Sequence, residues 1–243
     1  MRVELTPALL LHRRPYRETS LLVEAFTRDH GRIGLVARGA RRPRAPWRGL
    51  LEPLQLLSLS WTGRGDLFTL TQAEAARHRL VLAGEQLFAG FYASELVLRL
   101  IARQDPHPEV FDRLMDMLEQ LARDVPAAQV LRLFERDLLA AIGYALPLRA
   151  ESESGRAVCR DRHYHYHPRA GLRLAEGPAE PEDHRVSGAV LLALAAGEIK
   201  NNHAGPARRL LAAALAPHLH GRPLHSAETL RAMRRFRQSG DRR

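Results

Sequence analysis

A change of period near residue 80 constrains this chain more than any other feature. Before it, apolar residues fall in short runs bounded by turn signals; after it, they recur at helical spacing. Ser20–Thr27 (SLLVEAFT) and Arg32–Arg38 (RIGLVAR) are rich in β-formers, and Arg28-Asp29-His30-Gly31 between them is a hairpin signal. Ala8–His12 and Pro53–Trp61 are further apolar runs, and Gly63-Arg64-Gly65-Asp66 turns the chain into Leu67–Ala76. Five short strands within residues 1–80 predict a small closed barrel. An OB-fold is the expected shape; an SH3-like barrel that binds protein is the alternative.

From residue 84 the pattern predicts helices. Leu87, Phe91, Leu98 and Ile101 form the first stripe, widened by Phe88, Tyr92, Leu96 and Leu100. Asp105-Pro106-His107-Pro108 breaks that helix and starts a second, with Val110, Phe111, Leu114, Met115, Leu118 and Leu121 on one side. Asp124-Val125-Pro126 opens a third, striped by Val130, Leu133, Phe134, Leu138 and Ile142, with Gly143 as its left-handed stop. Short connections predict that the three form an antiparallel bundle. Residues 149–183 read as a small irregular insertion. Residues 187–197 then predict a short buried helix between Ser187 and Gly197. Gly205-Pro206 opens another through Leu210, Leu211 and Leu215, and Ser226 caps a last one. In that last helix Leu230, Met233 and Phe236 lie on one side and Arg231, Arg234, Arg235 and Arg237 on the others. Such a helix either lies along phosphates or is a solvated exterior. The expected fold class is α+β, with a barrel over 1–80 and a helical domain over 81–243.

Charge says where a partner would bind. The chain of 243 residues carries a formal net charge of +10, so an anionic polymer or surface is expected. Residues 1–80 hold 14 arginines against 7 acids, residues 226–243 hold 6 against 2, and the stretch between holds 17 basic against 18 acidic residues. The densest cluster is Ala37–Arg48 (ARGARRPRAPWR), with Arg38, Arg41, Arg42, Arg44 and Arg48 and no acid. Gly39, Pro43 and Pro46 keep it from being a helix. A loop of one sign cannot cancel its own field. Trp47 within it either stacks on an unpaired base or packs on the barrel. Arg13, Arg14 and Arg32 are the secondary candidates for phosphate contact. Lys200 is the only lysine, and its neighbours do not make a phosphate-cradling G-x-x-x-x-G-K-[ST] loop. Asp105, Asp161 and Asp183 lie in unlike segments, so a two-metal nuclease is the weaker alternative, beside an RNA-binding barrel. The expectation is a protein that is not an enzyme.

Several segments resemble the bacterial RecO recombination-mediator family. Leu10-Leu11-His12-Arg13-Arg14-Pro15-Tyr16-Arg17-Glu18-Thr19-Ser20 and Gly31–Arg41 (GRIGLVARGAR) are similar to its opening, and Arg132–Tyr144 (RLFERDLLAAIGY) and Gly221-Arg222-Pro223-Leu224 to its later parts. The resemblance covers nearly the whole chain. It implies an N-terminal OB-fold followed by a helical domain with a zinc-ribbon-like insertion. It also implies binding of single- and double-stranded DNA, annealing of complementary strands, contact with the acidic tail of single-strand-binding protein, and work with RecR in loading RecA. Arg132 matches an arginine of the family segment, and with Arg136 it is the expected contact for that tail at the rim of an apolar groove.

Many members of that family hold zinc with four cysteines. This chain has only Cys159, so the expected insertion is degenerate, with no metal and no cofactor. His163, His165 and His167 alternate near Cys159 and could face one way on a strand; a solvated strand face is the expectation, and a metal held with Cys159 the weaker alternative. A single cysteine excludes an intrachain disulfide and fits a reducing compartment. Ala8–Leu11 is too short for a signal-peptide core, and no stretch suits a membrane span. The expected location is the cytoplasm, with DNA.

Overall fold

The structure, a computed structural model, describes residues 1–47, 49–76, 80–176, 183–226 and 228–229. The expected residues of the terminal basic helix from 230 onward, and Arg48 of the arginine loop, lie outside these. By compactness the chain divides into two units, Met1–Arg123 together with the residues from Leu224, and Asp124–Pro223. The strands give way to helices near residue 80, but the compact units part at 123/124.

Unit one begins with the barrel. Strands β1 (Arg2–Tyr16), β2 (Ser20–Thr27), β3 (Gly31–Ala37), β4 (Leu56–Thr62) and β5 (Leu67–Ala75) close in the order β1-β2-β3-β5-β4. All neighbours are antiparallel except β3 and β5, which pair in parallel at Gly34–Val36 with Leu67–Thr69. This is the expected OB-fold. Ala8, Leu10, Val23, Ala25, Ile33, Leu35, Leu57, Leu59, Trp61 and Phe68 fill its interior.

The first strand is far longer than its apolar run. Only Ala8 to Leu11 are fully enclosed; the run marks where the strand crosses the core, while its N-terminal half pairs with β4 and its C-terminal half with β2. Register shifts between Val3 and Thr6 and between Leu10 and His12 bend it enough to serve both. The first shift leaves Leu5 N–H out of the ladder, and it donates to Ser60 Oγ at 2.9 Å.

Two helices belong to this unit, α1 (Gly84–Leu100) and α2 (Pro108–Ala122). The buried face of α1 is Ala89, Gly90, Ala93, Ser94, Leu96 and Val97, so the expected stripe of Leu87, Phe91 and Leu98 is corrected. Small residues let helix and barrel approach closely, and an added Cβ at Gly90 would stand 2.9 Å from Leu54. The stripe on α2 is nearly as expected, with Met117 buried in place of Met115. Phe111 packs on Phe26 of β2, ring centroids 5.8 Å apart, and Arg28 meets Asp112 through two nitrogens.

The connector between α1 and α2 is part of the barrel wall. Gln104 N–H donates to Arg32 O at 2.8 Å, and Arg103 pairs with Glu24. Gly31 makes this possible. Its φ is +64°, and a Cβ there would lie 2.2 Å from the Asp105 carbonyl oxygen. The Glu95 carboxylate of α1 accepts from Ser226 Oγ at 2.6 Å, Ser226 N–H at 2.9 Å and His225 N–H at 3.1 Å, fastening the returning chain.

Unit two holds α3 (Ala127–Ala141), strands β6 (His163–His167), β7 (Gly171–Leu174) and β8 (His184–Ser187), α4 (Gly188–Ala196) and α5 (Asn201–Leu215). The expected bundle of three successive helices is therefore corrected: α3 belongs to this unit and packs on α5 and α4. Gly143 stops α3 with φ +88°, and Gly197 stops α4 with φ +76°, both as expected. Ser187 stands at the start of α4 without a side-chain cap bond. Helix α5 begins at Asn201 and carries Pro206 inside it. Proline in the second turn costs one hydrogen bond, and Ala207, Leu210 and Leu211 are buried beyond it. The insertion forms a three-stranded antiparallel sheet, β7-β6-β8. Its last strand lies just past residue 183.

Two predictions follow from unit one. Gly31→Ala lowers stability by at least about 2 kcal/mol more than Gly65→Ala, because both place Cβ on left-handed backbone but only the first meets another backbone; denaturant midpoints of the two variants check this. Glu95 loses solvation on burial, yet the bonds from Ser226 and His225 and the nearby Arg99 hold its carboxyl below its usual 4.5. A depressed carboxyl stabilises the fold above its unfolded value and stops doing so as pH falls through its folded value. Glu95→Gln should therefore flatten the loss of stability below about pH 4.5 in acid-titration melts.

Candidate nucleic-acid interface

The arginine loop is a chain of turns with apolar feet. Ala40, Leu51 and Leu54 are buried, and Trp47 and Leu50 are half-buried against the barrel core. Between them Arg42 N–H donates to Gly39 O at 3.0 Å, Ala45 N–H to Arg42 O at 3.1 Å and Leu50 N–H to Trp47 O at 3.0 Å. Gly39 adopts φ +68°, a value suited to the turn that redirects the chain at the end of β3. Small and apolar residues thus face inward and the long cations outward.

Arg41 docks the loop on the β1–β2 turn. Its backbone N–H donates to Thr19 O at 2.9 Å and its guanidinium to Glu18 O at 3.1 Å. The turn and the loop therefore form one surface. Arg38, Arg41, Arg42 and Arg44 are exposed on it. Arg38, Arg42 and Arg44 have no acidic partner among the described residues. Arg14 joins them on the β1 side: it sits opposite Leu22, itself opposite Val36 of β3, and it is exposed and likewise unpaired among the described residues.

The other expected contacts are placed differently. Arg13 lies on the opposite face of β1 and pairs with Glu52 at 2.6 Å. Arg32 is half-buried between Glu24 and Arg103. Burial pushes its guanidinium below the ordinary value, Glu24 opposing and Arg103 adding to the shift. Trp47 covers the core, which is the packing reading of that residue. Sequence reasoning missed Tyr16 and Arg17 as parts of this surface. Arg17 is exposed at the hairpin tip with φ +52°, and its guanidinium carbon lies 5.3 Å from the Tyr16 ring centroid. The signal was the turn itself, since a β1–β2 hairpin brings its tip beside the end of β3.

In unit two, Arg132 is not at a rim. It is 5% exposed and bonds Glu135, 1% exposed, at 2.7 Å. Arg136 bonds Asp137 at 2.7 Å and donates to Leu194 O. The periodicity placed both beside the apolar stripe of α3, but the helix is enclosed on that side as well. The three histidines of β6 have separate surroundings. His163 is exposed; His165 is buried with Nδ1 3.4 Å from Asp183, which also binds Arg173 at 2.6 Å; His167 Nδ1 accepts from Arg169 N–H at 3.1 Å. Cys159 is free and exposed. Among the described residues no three His, Cys, Asp or Glu side chains converge to hold a metal, so the described part of the insertion does not build a tetrahedral zinc site.

Comparison with known proteins covers both halves of the chain. The family model described as "Recombination protein O N terminal" matches residues 1–79, and "Recombination protein O C terminal" matches 82–228. A "DNA repair protein RecO" of Nitrosococcus oceani is 46% identical over 242 residues, covering 97% of this chain and 96% of that one. The protein of the same name from Alkalilimnicola ehrlichii is 48% identical over 236 residues, covering 96% and 93%. That of Ralstonia nicotianae is 44% identical over 235 residues, covering 94% and 84%.

The buried pair gives a prediction of its own. Arg132→Ala removes the buried ion pair with Glu135 and costs about 1.5 to 3 kcal/mol. The double variant Arg132→Met, Glu135→Leu recovers most of that in thermal melts, since a buried pair replaced by apolar groups of like volume is nearly neutral.

Proposed function

The chain belongs to the RecO family, and from that premise we propose that it is a DNA-binding recombination mediator of DNA repair that acts without making or breaking bonds. The observation that carries this reading is the barrel-end surface, where Arg14, Arg38, Arg42 and Arg44 stand exposed and without counter-ions among the described residues while Arg41 ties the loop in place. Two DNA strands repel through dense negative charge. A fixed cationic surface that neutralises phosphates lowers the repulsion and leaves base pairing to decide the outcome. Such a surface binds single and double strands alike through their backbones and promotes annealing. No cofactor or metal enters the mechanism.

Contact with the acidic tail of single-strand-binding protein, and joint work with RecR in loading RecA, belong to the same proposal and rest on the family likeness. Arg132 and Arg136 are engaged within their own unit, so the tail site is left without assigned residues. No helix among the described residues is long and apolar enough to cross a membrane, and cytoplasmic work on DNA is the setting proposed.

The test reverses Arg38, Arg42 and Arg44 to glutamate, sparing the docking residue Arg41. Titration with a labelled single-stranded oligonucleotide should show affinity falling at least tenfold and the slope of log affinity against log salt shrinking by about 2. Unchanged affinity and slope, with an unchanged melting temperature, would refute the assignment.

A further inference from the structure

Neutralising phosphates does not distinguish an unpaired strand from a duplex; that takes a surface for the bases. Stacking on an aromatic ring does this, because only an unpaired base can leave its neighbours to lie on the ring. The described barrel has five aromatic side chains. Phe26, Trp61 and Phe68 are buried in it, and Trp47 packs on its core. Tyr16 is half-exposed at the end of β1. Strand alternation puts it on the same face as Arg14, and Ser20, its partner in register, is too small to cover it.

The neighbours of Tyr16 are cationic. Arg17 holds its guanidinium over the ring, 5.3 Å from the centroid. It stands in the β1–β2 turn with φ +52°, a left-handed conformation that costs a non-glycine residue energy. The next two residues supply the carbonyls that receive Arg41, so the ring stands at the border of the arginine loop.

From this placement we infer that Tyr16, with Arg17 beside it, is the stacking platform on which the barrel end holds an unpaired base, adding to the backbone contacts, which serve single and double strands alike, an affinity that only single strands gain. The inference rests on the proposed DNA interface. The tyrosine ring supplies a π-face, Arg17 adds cation–π attraction and reaches the adjoining phosphate, and Arg14, Arg38 and Arg42 follow the backbone on either side.

The experiment compares the full chain with its Tyr16→Leu and Tyr16→Phe variants. Each is titrated with a single-stranded oligonucleotide containing 2-aminopurine and with the matching duplex. The Arg38, Arg42, Arg44 reversal is run alongside. Tyr16→Leu should weaken single-strand binding about 5- to 150-fold, abolish quenching of the 2-aminopurine, and leave duplex affinity and the salt slope as they were. Tyr16→Phe should match the parent. If the leucine variant melts early, Tyr16→Thr, which suits a strand, takes its place. Undiminished single-strand binding by the leucine variant, or equal losses on single strand and duplex, would overturn the inference. When the arginine reversal abolishes binding but the leucine variant is silent, the stacking site alone fails. When the reversal has no effect, the interface fails and the stacking site fails with it.

Discussion

Holding like charges together is the constraint on which the rest of this structure depends. Arginines gathered without acids repel one another, and a free loop would relieve that by spreading. Here the spread is prevented by burial and by two hydrogen bonds. Ala40, Leu51 and Leu54 anchor the loop in apolar surroundings, and Arg41 is bound through backbone and side chain to the carbonyls of Thr19 and Glu18. The field of the loop is therefore fixed in direction, and a fixed field is one a polyanion meets without first ordering it.

Most other arginines with a named setting in the structure have acids. Arg13 has Glu52, Arg28 has Asp112, Arg32 and Arg103 share Glu24, Arg132 has Glu135, Arg136 has Asp137 and Arg173 has Asp183. A net charge of +10 alone would be compatible with a solvated, evenly basic surface. That local neutralisation is absent at Arg14, Arg38, Arg42 and Arg44 among the described residues, and these four share the barrel end. The α1–α2 connector contributes to this indirectly. By pairing Arg103 with Glu24 and bonding β3 through Gln104, it braces the strand from which the loop departs, and Gly31 is the residue that lets it come close enough.

Much of this was legible in the sequence. Period-two runs with hairpin signals give a five-stranded barrel, and Gly143 and Gly197 stop helices because left-handed backbone is cheap for glycine. The arginine loop was readable because its proline and glycine content and its single sign are local properties. What was not legible depends on what a residue meets in space. The apolar run in β1 showed where the strand crosses the core, not how far it pairs. Small residues on α1 proved to be its buried face because close approach, not side-chain size, decides which side a helix turns inward. Arg132 and Glu135 look like a surface pair at their spacing, and only enclosure of α3 on a second side makes them interior. Trp47 offered two roles on paper, and the structure shows it partly buried against the barrel core, while Tyr16 gained its candidacy from a turn that the strand pattern implied but did not weigh.

The most direct test of the fixed cationic surface is amide hydrogen exchange of the full chain with and without a short single-stranded oligonucleotide. The account predicts slowed exchange at residues 14–19 and 38–45, the turn and the loop together, with the remaining barrel strands unchanged. Slowed exchange confined to residues 124–223, with the turn and loop exchanging as fast as in the free protein, would contradict it.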